Sequence, residues 1–165
     1  MRNLLHSSIS SNFISTETGL KVHYLESKPQ NYTKKSPVAL LLHGFPELSF
    51  SWRKIMPGLT KAGFRVIAPD QRGYGKTIGG SKKFEDNIQE YNLLNLSMDI
   101  ISFLHNLNIK KIDLLVGHDA GSIVAGTSAL VRGDIFKSVV MMSAPYTGIP
   151  IINPKVSLDP IHQDL

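Results

Sequence analysis

The sequence predicts an α/β fold, in which helices cover both faces of a mostly parallel β-sheet. Residues 37–42 form a continuous apolar run, and residues 64–69 are apolar apart from Arg65, which is typical of strands buried on both faces. Between residues 91 and 107, apolar residues recur at the spacing of a helix with one buried face. Because strands alternate with helices along the chain, right-handed crossovers should place helices on both sides of a parallel sheet.

The remaining elements follow from the same patterns. Two short strands come first, and Gly19 joins them in a hairpin-like turn. We expect residues 1–12 to be an N-terminal tail, residues 13–144 to form the folded core and residues 145–165 to be a proline-rich tail. The predicted order is strand 13–18, strand 21–26, strand 37–42, helix 51–62, strand 64–69, helix 91–107, strand 112–116, helix 120–131 and strand 136–142.

Composition excludes several classes of site. The absence of cysteine excludes disulfides, thiolate nucleophiles and thiolate metal sites. No apolar run approaches the roughly 18 residues of a membrane span, so we expect no membrane insertion. Residues 1–15 lack the apolar core of a signal peptide, and we therefore expect a cytoplasmic protein.

The net charge of +5 raises the question of a nucleic-acid partner. The lysine doublets stand in separate predicted turns, which is typical of a solvated surface and not of a patch that tracks phosphates. We therefore expect no nucleic-acid partner. The doublets are Lys34-Lys35, Lys82-Lys83 and Lys110-Lys111.

Residues 73–77 end like a phosphate-binding loop but do not complete its pattern. The pattern requires a glycine five residues before Gly75, and that position is Asp70, whose charge would repel a phosphate. A nucleotide-binding module is therefore disfavoured. We interpret the glycine-rich turn at residues 70–75 as a scaffold and assign it no chemistry.

Residues 117–121 stand between a predicted strand and a predicted helix, as a nucleophile elbow does. The sharp turn of an elbow needs small neighbours, and Gly117, Ala120 and Gly121 meet that need. Asp119 would project its carboxylate at a helix N-terminus, where the macrodipole and free N–H groups favour an anion. The alternative is that Asp119 is an ordinary helix N-cap.

The segment HGFPE at residues 43–47 directly follows the first buried strand, where an oxyanion loop belongs. Pro46 has no N–H to offer. The expected donors to a developing oxyanion are therefore the backbone N–H groups of Phe45 and Ala120. The alternative is a simple turn in which His43 is a packed loop histidine.

Four segments occur in order along the chain: HGFPE at 43–47, SW at 51–52, DQRGYG at 70–75 and GHDAG at 117–121. In this combination they resemble the epoxide hydrolases of the α/β-hydrolase fold, over residues 13–146. The resemblance implies an α/β-hydrolase core in which Asp119 opens an epoxide to give an ester, with Phe45 and Ala120 at the oxyanion positions. It also implies a small epoxide-like substrate and no cofactor or metal.

The chain departs from the pattern of that family. Ala120 stands where the family often has Trp, which implies a wider or differently shaped pocket floor. The family's lid, its two epoxide-binding tyrosines, its acid–histidine pair and its last strands have no counterpart before Leu165, and we do not assign His162 as the base. We therefore expect this chain by itself to be catalytically incomplete, with residues 139–142 exposed at a sheet edge.

Two alternatives stay open at this point. A dehalogenase of the same fold also uses an elbow Asp, although Ala120 and Phe45 do not match its halide-binding positions. A non-catalytic fragment would retain the first half of the fold without its chemistry.

Trp52 is interpreted as a packing residue near the oxyanion loop. The substrate and the oligomeric state are not predicted.

Overall fold

A computed structural model describes residues 5–80 and 88–144 of the chain. In this part of the chain, strands and helices alternate as the sequence predicts. The strands are β1 Ile9–Ser15, β2 Lys21–Ser27, β3 Val38–Leu42, β4 Arg65–Pro69, β5 Leu114–His118 and β6 Val139–Met142. The helices are α1 Met56–Lys61, α2 Leu93–Asn106 and α3 Ala120–Val131.

The strands form one sheet in the order β1-β2-β4-β3-β5-β6. Strands β1 and β2 pair antiparallel, and β2 runs antiparallel to β4. The other neighbours are all parallel: β4 with β3, β3 with β5, and β5 with β6. The predicted α/β class is therefore confirmed, with a hairpin added to one side of a parallel sheet.

Both faces of the central strands are buried, as their continuous apolar sequence requires. In β3, Leu40 and Leu42 pack in a core cluster with Phe103 of α2, whereas Ala39 and Leu41 pack in a second cluster on the opposite face. The second cluster contains Trp52, which is 5% exposed. The packing role predicted for Trp52 is confirmed.

Two predicted boundaries are wrong. Residues 1–12 were expected to be a tail, but β1 begins at Ile9, because backbone pairing with β2 tolerates polar side chains in a strand at the sheet edge. The helix expected at residues 51–62 is divided into a 3₁₀ segment, Ser49–Lys54, and helix α1. Pro57 lacks an N–H and fits only the start of a helix, so α1 begins there. The tail expected at residues 145–165 lies outside the described residues.

Helix α2 confirms the helix predicted from the apolar spacing of residues 91–107. The Asn92 side chain caps it by accepting a hydrogen bond from the Asn95 N–H, at 2.9 Å. Ile100, Phe103 and Leu104 lie in the core. No helix in the described part of the chain is long and apolar enough to cross a membrane.

An ion pair and a hydrogen bond connect α2 to the loops of the sheet. The Arg72 guanidinium donates to both carboxylate oxygens of Asp99, at 2.6 and 2.8 Å, and both side chains are buried. On the surface, Glu17 accepts a hydrogen bond from the Ser102 hydroxyl at 2.6 Å. This bond, helped by a backbone N–H and Asn106, lowers the pKa of Glu17 to about 2. A buried ion pair and a surface hydrogen bond therefore hold the helix at two points.

Strand β6 is the last strand in the described part of the sheet. It is shorter than the predicted strand 136–142, although Phe136 still forms an isolated parallel bridge with Ile112. Val139, Val140 and Met142 are exposed. The predicted loss of cover along this strand is confirmed.

Two lysine doublets that stand apart in the sequence line one cavity of about 510 Å³. Lys34-Lys35 precede β3 and Lys110-Lys111 precede β5, and these two strands are parallel neighbours. Their entry loops therefore lie side by side, and the predicted scattering is wrong for these doublets. Lys82-Lys83 lie outside the described residues.

Candidate active site

Asp119 occupies a strained position between β5 and α3. Its φ of 51° and ψ of −120° lie in a region that residues other than glycine rarely adopt. Such a conformation costs about 1–3 kcal/mol and persists only where the surrounding structure imposes it. The strand, the sharp turn and the helix together form the predicted elbow.

Small residues around Asp119 allow the chain to turn this sharply. A Cβ atom on Gly117 would lie 2.3 Å from the carbonyl oxygen of Gly121. One on Gly44 would lie 2.6 Å from Cβ of Asp119. Both distances are well below van der Waals contact, so these glycines let the oxyanion loop, the elbow and the helix approach one another.

A backbone N–H group of the oxyanion loop holds the Asp119 carboxylate. The N–H of Phe45 donates to Oδ1 at 2.9 Å. This bond, the N–H of Ala120 and the nearby His118 lower the pKa of Asp119 against a small desolvation effect. The side chain makes no capping hydrogen bond to α3, so the ordinary N-cap interpretation does not describe it. The structure thus brings together the three residues that the sequence singled out.

Glu47 and His118 form a pair beside this carboxylate that the sequence analysis missed. Glu47 Oε2 lies 3.0 Å from His118 Nδ1 and accepts a hydrogen bond from the Gly44 N–H at 3.1 Å. Partial burial raises the pKa of Glu47, but these two hydrogen bonds outweigh it and lower the pKa. The pair joins the oxyanion loop to the elbow. The signal was available, since both residues belong to the quoted motifs.

His43 supports the oxyanion loop from inside the protein. Its ring is fully buried, and the Gln71 N–H donates to Nε2 at 3.1 Å. The ring proton is therefore assigned to Nδ1, which donates to the Gly44 carbonyl at 2.9 Å. Burial lowers the pKa of His43, which keeps the imidazole neutral. His43 is thus a packed loop histidine, next to a loop that still presents the Phe45 N–H.

The turn at residues 70–75 is built around the side chain of Asp70. Asp70 is buried, and its carboxylate accepts hydrogen bonds from the backbone N–H groups of Ser49 and Lys76, at 2.9 and 3.0 Å. Desolvation raises the pKa of Asp70, but these bonds and one with His23 lower it below its usual value. A Cβ on Gly75 would collide with this carboxylate.

Residues 37–164 match the family model of the alpha/beta hydrolase fold. The chain belongs to this family. Epoxide hydrolase A of Mycobacterium tuberculosis is 40% identical over 110 residues, and bifunctional epoxide hydrolase 2 of Sus scrofa is 33% identical over 151 residues. Among solved structures, potato (Solanum tuberosum) epoxide hydrolase I has a TM-score of 0.76 at 31% identity. The epoxide hydrolase of Vigna radiata has a TM-score of 0.75 at 32% identity.

These similarities extend over most of the chain but only part of each relative. The alignment with the mycobacterial enzyme covers 67% of this chain and 32% of that enzyme. The alignment with the porcine enzyme covers 92% of this chain and 24% of that enzyme. The potato structure is matched over 94% of this chain and 46% of its own, and the Vigna radiata structure over 95% and 45%. The predicted fold and resemblance are confirmed, and the chain spans less than half the length of these relatives.

Proposed function

We propose that Asp119 is the nucleophile of an epoxide hydrolase. The observation that carries the proposal is the geometry of its carboxylate, which is strained at an elbow, ionised and held on one oxygen by the Phe45 N–H at 2.9 Å. The epoxide hydrolases to which the chain is similar support the choice of substrate class. The substrate is a small molecule that bears an epoxide.

In the first step, Asp119 Oδ2 attacks a carbon of the epoxide. A bond forms between this oxygen and the carbon, the carbon–oxygen bond of the ring breaks, and the ring oxygen takes up a proton from solvent water. Oδ2 is the oxygen that the Phe45 N–H does not hold. An ionised carboxylate attacks without first losing a proton, which the lowered pKa of Asp119 ensures near neutral pH.

In the second step, water gives a proton to a base and attacks the carbonyl carbon Cγ of the ester, and the negative charge develops on Oδ1. The intermediate then breaks the bond between Cγ and Oδ2, and the diol leaves with Oδ2 and takes up the proton. Phe45 already donates to Oδ1, and the nearby Ala120 N–H also lowers the pKa of this carboxylate. A donor of this kind contributes about 100- to 1000-fold in rate. The base that activates the water is not assigned to any described residue, and we expect the ester to accumulate on this chain. We also propose a cytoplasmic location, in keeping with the cysteine-free composition.

The test is to trap the ester. The purified chain is incubated with styrene oxide, digested and analysed by mass spectrometry, and the adduct is expected on Asp119. Asp119→Asn should abolish it, since Asn tolerates positive φ but is a far weaker nucleophile. The labelling rate should hold as the pH falls and decline only below the ordinary Asp pKa of about 3.9, because the pKa of Asp119 is lowered.

Asp134→Asn is the matched control. Asp134 also has a lowered pKa, caused by its hydrogen bonds with Arg132, but it lies on the surface away from any elbow. Its variant should label at the wild-type rate. An adduct on Asp134, persistent labelling of Asp119→Asn, or no adduct on a folded chain would each contradict the assignment.

A further inference from the structure

Ser11, His23 and Asp70 form a chain of hydrogen bonds on three neighbouring strands or their ends. His23 Nδ1 lies 2.7 Å from Asp70 Oδ2, and Ser11 Oγ lies 2.8 Å from His23 Nε2. An ionised carboxylate accepts only, so the ring proton is on Nδ1, and Nε2 is free to accept the serine proton. A hydroxyl, an imidazole and a carboxylate in this order are the parts of a serine nucleophile.

The sheet register creates this arrangement. In the β1–β2 hairpin, Ser11 pairs with Leu25 and Phe13 with His23, so Ser11 lies diagonally across from His23 on the same face. On the other side of β2, the Asp70 N–H donates to the His23 carbonyl at 2.8 Å, which continues the pairing of β2 with β4. Two strands, β4 and β3, separate β2 from β5, so this group lies apart from the elbow.

The acid and the base of the group are buried and held in place. His23 is 4% exposed and Asp70 is 3% exposed. The Thr77 hydroxyl donates to the Asp70 carbonyl at 2.6 Å and accepts from the His23 N–H at 3.0 Å. Backbone N–H groups of Ser49 and Lys76 orient the Asp70 carboxylate. Hydrogen bonds shielded from water in this way are stronger than exposed ones.

Ser11 itself is exposed and lines a cavity of about 340 Å³. The cavity is large enough for a small ligand. Most of its lining is apolar and includes Leu25, Leu48 and Phe50. Among the described residues that line it, Lys76 is the only lysine or arginine. The site therefore suits an apolar acyl group whose carbonyl develops negative charge.

We propose that Ser11 is a second nucleophile of this protein and accepts an apolar acyl group from a carboxylic ester. Ser11 Oγ attacks the carbonyl carbon while its proton passes to His23 Nε2. The tetrahedral intermediate breaks the ester carbon–oxygen bond, and the leaving alkoxide takes the proton from His23. Water then removes the acyl group with the same base, which yields a carboxylic acid and an alcohol. Asp70 is a positioning residue that holds the imidazole.

The test uses an alkyl fluorophosphonate, which phosphonylates activated serines. Peptide mass spectrometry on the purified chain should place the adduct on Ser11, at a rate at least about 100-fold above that of an ordinary serine. Ser11→Ala should lose it and keep its fold, because the side chain is exposed. Ser10→Ala is the matched control, since Ser10 is the next residue on the strand and donates to the Glu26 carbonyl instead of a histidine.

His23→Asn separates activation from structure. The Asn amide nitrogen stands in for Nδ1 and still donates to Asp70, but nothing replaces Nε2 beside Ser11. A folded His23→Asn chain should label at the slow rate of an ordinary serine, and its circular dichroism spectrum should match the wild type. No adduct on Ser11, equal labelling of Ser10, or full-rate labelling of folded His23→Asn would overturn the proposal. If His23→Asn does not fold, the comparison of Ser11→Ala with Ser10→Ala decides the matter.

Discussion

A methyl group added at Gly121 should separate helix α3 from the end of strand β3. In Gly121→Ala the new Cβ would lie 2.4 Å from the carbonyl oxygen of Leu42 and 2.5 Å from that of His43. Both neighbours are backbone atoms of the strand end that leads into the oxyanion loop, so neither can rotate away. The helix must shift or the elbow must open.

The size of the effect follows from the overlap. Ordinary contact begins at 3.4 Å, so each distance is about 1 Å too short. Overpacking of a rigid site costs about 1–3 kcal/mol, and we place this substitution near the upper end. The better helix propensity of Ala returns up to about 1 kcal/mol. A net loss of about 2 kcal/mol lowers Tm by about 4–8 °C for a chain of this size.

Gly58→Ala is the control for this prediction. Gly58 lies inside α1, and an added Cβ would meet nothing within 4 Å. The same chemical change should there raise stability by about 0.5–1 kcal/mol. Thermal and urea unfolding followed by circular dichroism would measure both variants. A Gly121→Ala variant as stable as the wild type would show that the close approach of helix α3 to the end of strand β3 does not require glycine at residue 121.

Three further predictions concern the loop, the surface and the core. Phe45→Ala should change styrene oxide labelling by less than about threefold, because the residue contacts Asp119 through its backbone N–H, which Ala also supplies. Glu17→Gln should be less stable than the wild type above pH 4.5. The difference should shrink between pH 4.5 and about 2 and vanish below that range, because protonation of Glu17 then removes the same interaction, and Tm measured against pH checks this. Arg72→Met leaves a buried carboxylate unpaired and should cost about 3–5 kcal/mol in urea unfolding, whereas Arg132→Met, at an exposed pair, should cost at most about 1 kcal/mol.

The sequence alone determined the central sheet. Strands β3 and β4 are buried on both faces, so their side chains are apolar except for Arg65 at the start of β4, and such runs are visible without a structure. Helix α2 was equally visible, because one buried face imposes a three- and four-residue spacing. Strand β1 carries no such pattern, since it is polar at Ser10, Ser11 and Asn12 and is formed by pairing with β2.

The sequence also singled out Asp119 as the candidate nucleophile. An elbow needs small neighbours close in sequence, and residues 117–121 supply them locally. Phe45 was predicted as an oxyanion donor because its loop follows the first buried strand and Pro46 has no N–H, but only the tertiary structure decided that its N–H donates to Oδ1 of Asp119. The pair of Glu47 and His118 likewise depends on how two loops meet.

Contacts between distant segments were decided by the tertiary structure alone. The sheet order brings Lys34-Lys35 and Lys110-Lys111 around one cavity, although their positions in the sequence indicate no relation. Ser11, His23 and Asp70 meet for the same reason, since strand pairing and register bring them together. Local patterns report which side of an element is buried, whereas strand order and register, which depend on the packing of the whole sheet, decide which side chains become neighbours.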